Sequence, residues 1–194
     1  MTHDHVDLQQ QLDFIARGRA SRRYHTMEML DYQRIDAHSF GVAMFTTIIV
    51  PVATPDRRAL LLLAALTHDL GEHKTGDMPA PFKRSIPGLH KTMDAAEGAL
   101  LDDAGLAVAL DGKDKRVLTL ADCADGFAHC VVERAKGNVF AREAAMNFWS
   151  YLTGAGKIYN PLGSDSDNSH CEAGEHALRN WLARNWTEAN GGTW

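Results

Sequence analysis

An ionisable pair, His68-Asp69, stands at the end of the most apolar run in the chain, Leu60 to Leu66. Burying an unpaired carboxylate is costly, and coordination to a metal is one way to remove that cost. Neighbouring positions of a helix lie ~100° apart, so both side chains reach one ion only at a helix end or across a cleft. The break at Leu70-Gly71 supplies such an end. His38 and Asp122 fall on two further predicted helices. Two imidazoles and two carboxylates make a mixed N/O set that suits Mn, Fe, Co, Ni or Zn. On a six-coordinate ion they would leave room for water and a phosphate oxygen, which metal-assisted hydrolysis requires. Taken alone, the dipeptide is better explained as a core histidine beside a helix-end ion pair. The spacing of all four residues shifts the reading to a metal site.

The elements that must position these groups all read as helical. Leu8, Leu12 and Ile15 recur at helical spacing, with Gly18 placed to end the first helix. Arg19 to Ile35 is polar, rich in arginine and without a period, a long connection of the kind that carries function. Asp36 is the expected N-cap of a helix running through Val42, Phe45 and Ile49 and stopping near Pro51. Thr54-Pro55 starts the next one. Its leucine run is apolar on nearly every side, which places it at the centre of a bundle. A turn-rich segment with Gly76, Pro79 and Pro81 follows.

Leu89, Met93, Ala96 and Leu100 stripe a further helix closed by Gly105. Val117, Leu120, Ala124, Phe127, Val131 and Ala135 stripe another, closed by Gly137-Asn138, and Phe148 and Leu152 support a sixth. A polar loop, Gly163 to Ser169, leads to a last helix over His176 to Trp186. No β-type alternation and no repeat is found. The expected class is all-α, a helical bundle with a buried central metal-binding helix. One domain is expected over residues 1–194, with a motif-bearing core at about 10–150 and a C-terminal helical extension at about 172–187.

At 194 residues the chain can bury a core without staples. The net charge of −5 argues against a nucleic-acid partner, which would call for a basic stripe. Cys123, Cys130 and Cys171 fit no zinc-ribbon spacing and read as reduced thiols, the first two as small core residues. The Met1 to Asp7 start lacks the basic and apolar parts of a signal peptide. No segment approaches the ~20 apolar residues that span a bilayer. A cytoplasmic location with no membrane partner is the expectation.

Several motifs carry a resemblance: Asp36-Ala37-His38-Ser39, His68-Asp69-Leu70-Gly71-Glu72, Thr75-Gly76-Asp77-Met78-Pro79 and Leu120-Ala121-Asp122, with Arg23-Tyr24 upstream. In this order they resemble the HD-domain 5′-deoxynucleotidases, and the Arg23-Tyr24-His25-Thr26 segment is similar to that of phage-type dATP triphosphohydrolases. The resemblance implies one divalent ion (Co, Mn, Zn or Mg) on His38, His68, Asp69 and Asp122. By the same resemblance Glu72 positions or deprotonates the attacking water, or assists as an acid. Asp77 protonates or orients the leaving 5′-oxygen, Arg23 and Lys83 hold phosphate, and Tyr24 stacks on base or sugar. Tyr24 replaces the tryptophan of bacterial relatives. Arg22, His25, Lys74 and Arg84 are weaker candidates for phosphate.

The implied reaction is water attack at the α-phosphorus of a deoxynucleotide, with a lean toward dATP giving deoxyadenosine and triphosphate. Release of phosphate from a deoxynucleoside monophosphate is the runner-up, and a non-catalytic nucleotide sensor is the alternative of another class. A homo-oligomer is expected. His68 and Glu72-His73 do not form a reversed zincin motif, because one extra residue rotates the carboxylate by ~100°. No nucleophile elbow, Walker loop or dinucleotide fingerprint is present.

Overall fold

The computed structural model describes residues 7–50, 53–153 and 168–189, with the side chains of the last segment described over 176–187. The Met1 to Val6 start, Pro51, the polar loop before Asn168 and the Cys171 side chain lie outside the described residues. Among the described residues the chain forms helices and no strand. They are α1 (Leu8–Gly18), α2 (Ile35–Ile49), α3 (Pro55–Thr67), α4 (Glu72–Thr75), α5 (Ala80–Ser85), α6 (Leu89–Asp103), α7 (Gly112–Ala135), α8 (Ala141–Thr153) and α9 (Asn168–Ala189). The class is all-α, as the sequence led one to expect.

The centre of the bundle is α7, which packs against α2, α3, α8 and α9. Its stripe Val117, Leu120, Ala124, Phe127 and Val131 is buried among Val42, Ile49, Leu61, Leu152, Leu178, Leu182 and Trp186. This corrects the expectation that the leucine-rich helix is central. In α3, Leu61, Ala64 and Ala65 are buried, but Leu60, Leu63 and Leu66 are 39%, 48% and 47% exposed. A run of leucines satisfies every helical phase, so it cannot say which face turns inward. The last helix also differs from expectation. It starts earlier, at Asn168, and sends Leu178, Leu182 and Trp186 into the core.

Two local differences bear on the site. Asp36 is not the N-cap of α2 but lies in its first turn, where its carboxylate accepts from Arg34 at 3.2 and 2.8 Å and from the Ala37 N–H at 3.0 Å. Arg34 is the N-cap residue and makes no side-chain cap. The free N–H groups of Ile35 and Asp36 instead donate to the carbonyls of Ser21 and Arg19 at 3.0 and 3.1 Å, meeting the need every helix start has. This ties the 19–34 loop to the base of α2. In the segment expected as turns, Ala80–Ser85 is helical, with a proline inside its first turn.

The loop is fastened a second time at its tip. Glu133 of α7 is fully buried and accepts from the N–H groups of Leu30 and Asp31 at 2.6 and 3.2 Å and from Asn138 Nδ2 at 2.9 Å. Asn138 also donates to the Glu28 carbonyl at 2.9 Å. The three bonds hold the carboxylate ionised, below its usual range although burial opposes this. Glu133→Ala removes the acceptor for two loop amides, each left with about 1–3 kcal/mol of unmet need where it stays buried. Hydrogen exchange at Leu30 and Asp31 is expected to accelerate by at least tenfold, while amides along α7 keep most of their protection. Unchanged exchange at both positions would refute the clip.

Candidate metal centre

The turn after α3 is what lets two consecutive residues face one point. His68 ends the helix in αR geometry. Leu70, Glu72 and Lys74 then donate to the carbonyls three residues back, Thr67, Asp69 and Gly71, at 3.0 Å each. This tightened path turns His68, Asp69 and Glu72 toward α2 and α7. Gly18 permits it, since a Cβ there would lie 2.7 Å from the Leu70 carbonyl. Gly76, at φ +78°, then ends α4 in the left-handed region that favours glycine.

Ligand atoms from His38, His68, Asp69 and Asp122 all lie within 4.8 Å of one another. His38 Nε2 is 3.3 Å from Asp69 Oδ2 and 3.1 Å from Asp122 Oδ1, and His68 Nε2 is 3.3 Å from Asp69 Oδ1. The other nitrogen of each ring is spoken for: His38 Nδ1 meets Asp125 Oδ2 at 2.6 Å and His68 Nδ1 meets the Ala65 carbonyl at 2.9 Å. Those acceptors engage each Nδ1 and leave Nε2 as the ring nitrogen that faces the centre. Neither Nε2 makes a hydrogen bond, nor does Asp122 Oδ1, although all three are buried. Buried polar atoms are almost always paired. Three unpaired donors of metal-ligand type at one point fit a divalent cation. The mixed imidazole–carboxylate set fits Zn or Mn better than Mg, which prefers oxygen alone.

Arg23 lies over this group, buried, with Nε 3.9 Å from Asp69 and Nη2 3.5 Å from Asp122. Glu72 is buried one turn beyond His68, and its Oε2 has no partner. Asp77 is fixed by the Tyr24 N–H, which donates to Oδ2 at 2.7 Å. Behind them His38 is fully buried, while Arg23, His68, Asp69, Glu72, Asp77 and Asp122 line a cavity of about 780 Å³, within the usual range for small-molecule sites. Its lining includes charged residues, among them Glu72, Asp77, Lys83 and Glu97, and apolar ones, among them Leu110, Leu118, Phe148 and Tyr151.

A sequence profile described as 5′-deoxynucleotidase YfbR-like matches residues 11–104. A 5′-deoxynucleotidase of Vibrio cholerae is 26% identical over 147 residues, which cover 64% of this chain and 74% of that protein. Among solved structures, an HD-domain phosphohydrolase of Listeria innocua superposes with a TM-score of 0.70 at 15% identity, covering 95% of this chain and 92% of the other. The HD phosphohydrolase DatZ of cyanophage S-2L, bound to dA and one catalytic Zn²⁺, gives 0.62 at 15% identity, covering 89% and 96%. The chain has the fold of the HD-domain phosphohydrolases.

The remaining sequence candidates divide. Arg23, Tyr24, Glu72, Asp77, Lys83 and Arg84 line the cavity. Arg22, His25 and Lys74 do not line it. All three are exposed, and Arg22 lies over the Tyr32 ring. Neighbours of a buried arginine in an irregular loop point to other faces, which proximity in sequence does not reveal. The Tyr24 ring is stacked on His129 at 5.2 Å and set edge-on to Phe148. The Tyr24 φ of +61° is unusual for a non-glycine residue, and the bond from its N–H to Asp77 accounts for that conformation.

Sequence reading missed Asp125 and Glu97. Asp125, three residues after Asp122, shares its helix face, and that spacing was the available signal. Glu97 accepts from Thr75 Oγ1 at 3.0 Å and lies 3.9 Å from Lys83 Nζ. Its sequence context is that of a solvated helix, so nothing marked it.

Charge balance follows from the geometry. Burial and the Arg23 charge oppose a proton on His38, but Asp122, Asp125 and Asp69 outweigh them and raise its pKa to about 10. Burial works against the charge on Asp69, yet His68, His38 and Arg23 hold it well below the usual carboxylate range. Burial first, then repulsion from Asp69 and Asp77, pushes Glu72 up to about 9.

In the metal-free protein, the stability His38 contributes is complete below its unfolded pKa near 6.5 and is lost as pH rises toward 10. Glu72 acts in the same direction, losing stability between about 4.5 and 9. Asp69 works oppositely and only below its usual pKa of 3.8. The Tm of chelator-treated protein is therefore expected to fall from pH 5 to pH 9, by on the order of 5 °C. The gain in Tm on adding Mn²⁺ is expected to grow over the same interval, because the ion must displace the His38 proton. Calorimetric scans across this range check it, and a metal-free Tm that rises with pH would refute the proposed charge arrangement.

Proposed function

We propose that this protein is a metal-dependent phosphohydrolase that cleaves the 5′-phosphate ester of deoxynucleoside monophosphates, giving a deoxynucleoside and inorganic phosphate. The observation that carries the reading is the cluster of unpaired buried ligand atoms beside a cavity lined by both charged and apolar residues. A divalent ion on His38, His68, Asp69 and Asp122 would supply Lewis acidity toward a phosphate oxygen and acidify a bound water. The reaction class follows the similarity to a 5′-deoxynucleotidase and to an HD phosphohydrolase solved with dA.

The chain's own groups fill the other roles. Arg23 Nε is buried without a hydrogen-bond partner, and a phosphate oxygen is the acceptor that a planar guanidinium suits. Glu72 is the proton-transfer group. A carboxylate of raised pKa is a strong base for its type once ionised, and a cation on Asp69 removes one of the two repulsions that hold its proton. Asp77, locked through Oδ2 by the Tyr24 N–H, keeps Oδ1 to orient the 5′-oxygen as it leaves. Tyr24, backed by His129, and Phe148 would form a wall beside the nucleoside. Water adds to phosphorus, the P–O5′ bond breaks, and the 5′-oxygen takes up a proton.

The preference for a monophosphate rests on charge. Lys83 already faces Glu97, and Asp94 and Glu143 add negative charge to the lining. A triphosphate tail of roughly four negative charges would meet these acids with few cations left to offset them. Cleavage of dATP to deoxyadenosine and triphosphate is the second reading, favoured by Arg84 on the cavity wall.

With Mn²⁺ or Co²⁺, dAMP is expected to release inorganic phosphate faster than dATP releases triphosphate. Glu72→Gln is expected to keep one ion per chain and lose activity by ~10²–10⁴-fold. Asp69→Asn is expected to lose both ion and activity while the helical circular dichroism persists. Chromatography of the products with metal analysis decides these points. Faster turnover of dATP with triphosphate as product would overturn the monophosphate assignment, and full activity in Asp69→Asn would overturn the metal mechanism.

A further inference from the structure

Gln33 is a buried amide with no assigned role, and a buried amide must find partners for both of its ends. Its Nε2 donates to Asp125 Oδ2 at 2.7 Å, and its Oε1 accepts from Arg23 Nη1 at 3.3 Å. The amide can sit only one way round, because the reverse would set NH₂ against a guanidinium and a carbonyl against a carboxylate. Asp125 Oδ2 in turn meets His38 Nδ1 at 2.6 Å. The Arg23 N–H also donates to the Gln33 carbonyl at 2.8 Å, and Arg22 pairs with Arg34 beside it. The two sides of the loop are thus zipped together where the side-chain bridge begins.

Gly41 shows that this path is built into the fold. It lies three residues after His38 on the same face of α2, and a Cβ there would overlap the Asp125 carboxylate. Without that clearance Asp125 could not come within reach of both His38 and Gln33. The connection spans distant parts of the chain: 92 residues separate Gln33 from Asp125, and 87 separate His38 from Asp125.

We propose that Gln33 is a positioning residue that couples the Arg23 loop to the His38 imidazole through Asp125. One hydrogen-bonded chain, Arg23–Gln33–Asp125–His38, then sets both the phosphate-facing guanidinium and the ligand nitrogen. The role rests on the metal reading given under Proposed function. Outer partners of ligating histidines fix ring orientation, and losing one typically costs about 10–100-fold in metal affinity. Gln33 reaches the ring through one such partner and adds a second duty, holding Arg23.

Mn²⁺ binding by calorimetry on wild type, Gln33→Met, Asp125→Asn and the double variant tests this, with circular dichroism and Tm on each. Each single variant is expected to bind Mn²⁺ about 10–100-fold more weakly. The double variant is expected to be no worse than the weaker single one, because both cut the same chain. At saturating Mn²⁺, Gln33→Met is expected to raise KM for dAMP severalfold, through a displaced Arg23, with a smaller change in kcat. Asp125→Asn should leave KM closer to wild type. If Gln33→Met does not fold, Gln33→Asn keeps the amide but shortens its reach, and the same pattern is expected.

Wild-type Mn²⁺ affinity in a folded Gln33 variant, or losses that simply add in the double variant, would overturn the coupling. A wild-type protein that binds no Mn²⁺ would instead overturn the metal reading beneath it.

Discussion

Asp69 and Asp122 each place a carboxylate oxygen within 3.3 Å of the same nitrogen of a fully buried imidazole. Two carboxylates that close remain ionised only if positive charge is held against them. The fold can be understood as the means of meeting that demand from three directions. His38 comes from the first turn of α2, Asp69 from the turn after α3, and Asp122 from the middle of α7. Arg23 closes the fourth side from a loop. Because α7 brings both Asp122 and Asp125 from one face, its other faces are free to form the core with α2, α8 and α9. That division of labour explains why α7, rather than the leucine-rich α3, is central. Only the C-terminal turn of α3 must enter the site, so its body can lie at the edge.

The loop over residues 19–34 illustrates how irregular backbone is made exact enough for chemistry. Loops position groups poorly unless many contacts overdetermine them. This one is held at its base by the start of α2, along its sides by the Arg22–Arg34 bridge, and at its tip by the buried Glu133. Tyr24 accepts a left-handed backbone that costs on the order of 1 kcal/mol, and its N–H fixes Asp77 in return. Strain at one residue thereby orients a carboxylate more than fifty positions away in sequence. Such exchanges are found where function demands a geometry that local preference would not choose.

What the sequence made legible follows from the same physics. The four proposed ligands were readable because charged and imidazole groups are costly in apolar helices, so each one stood out against its surroundings. Gly18, Thr54 and Gly137 marked helix ends correctly because capping and chain reversal are local events. Asp125, Gln33 and Glu133 were not readable. Each looks like an ordinary polar residue until a partner roughly ninety or a hundred residues distant is brought beside it. The same limit misled the reading of Arg22, His25 and Lys74, whose proximity to Arg23 or Glu72 in sequence is not proximity in space. The leucine run failed for another reason: a pattern that satisfies every face carries no information about which face is covered.

The choice of arginine at position 23 completes the electrostatic argument. Its guanidinium sends Nε toward Asp69, Nη2 toward Asp122 and Nη1 to Gln33. A lysine offers one point charge and could not meet three acceptors along separate directions. In the metal-free protein the two ligand carboxylates are balanced by Arg23 and a protonated His38. Exchanging that proton for a divalent ion would add one positive charge to the centre. Arg23 would then be less needed to neutralise Asp69 and Asp122, and its donors would become available to an incoming anion. Without the ion the pocket offers a phosphate group carboxylates whose countercharges are already engaged, so the arrangement of charges favours metal before phosphate.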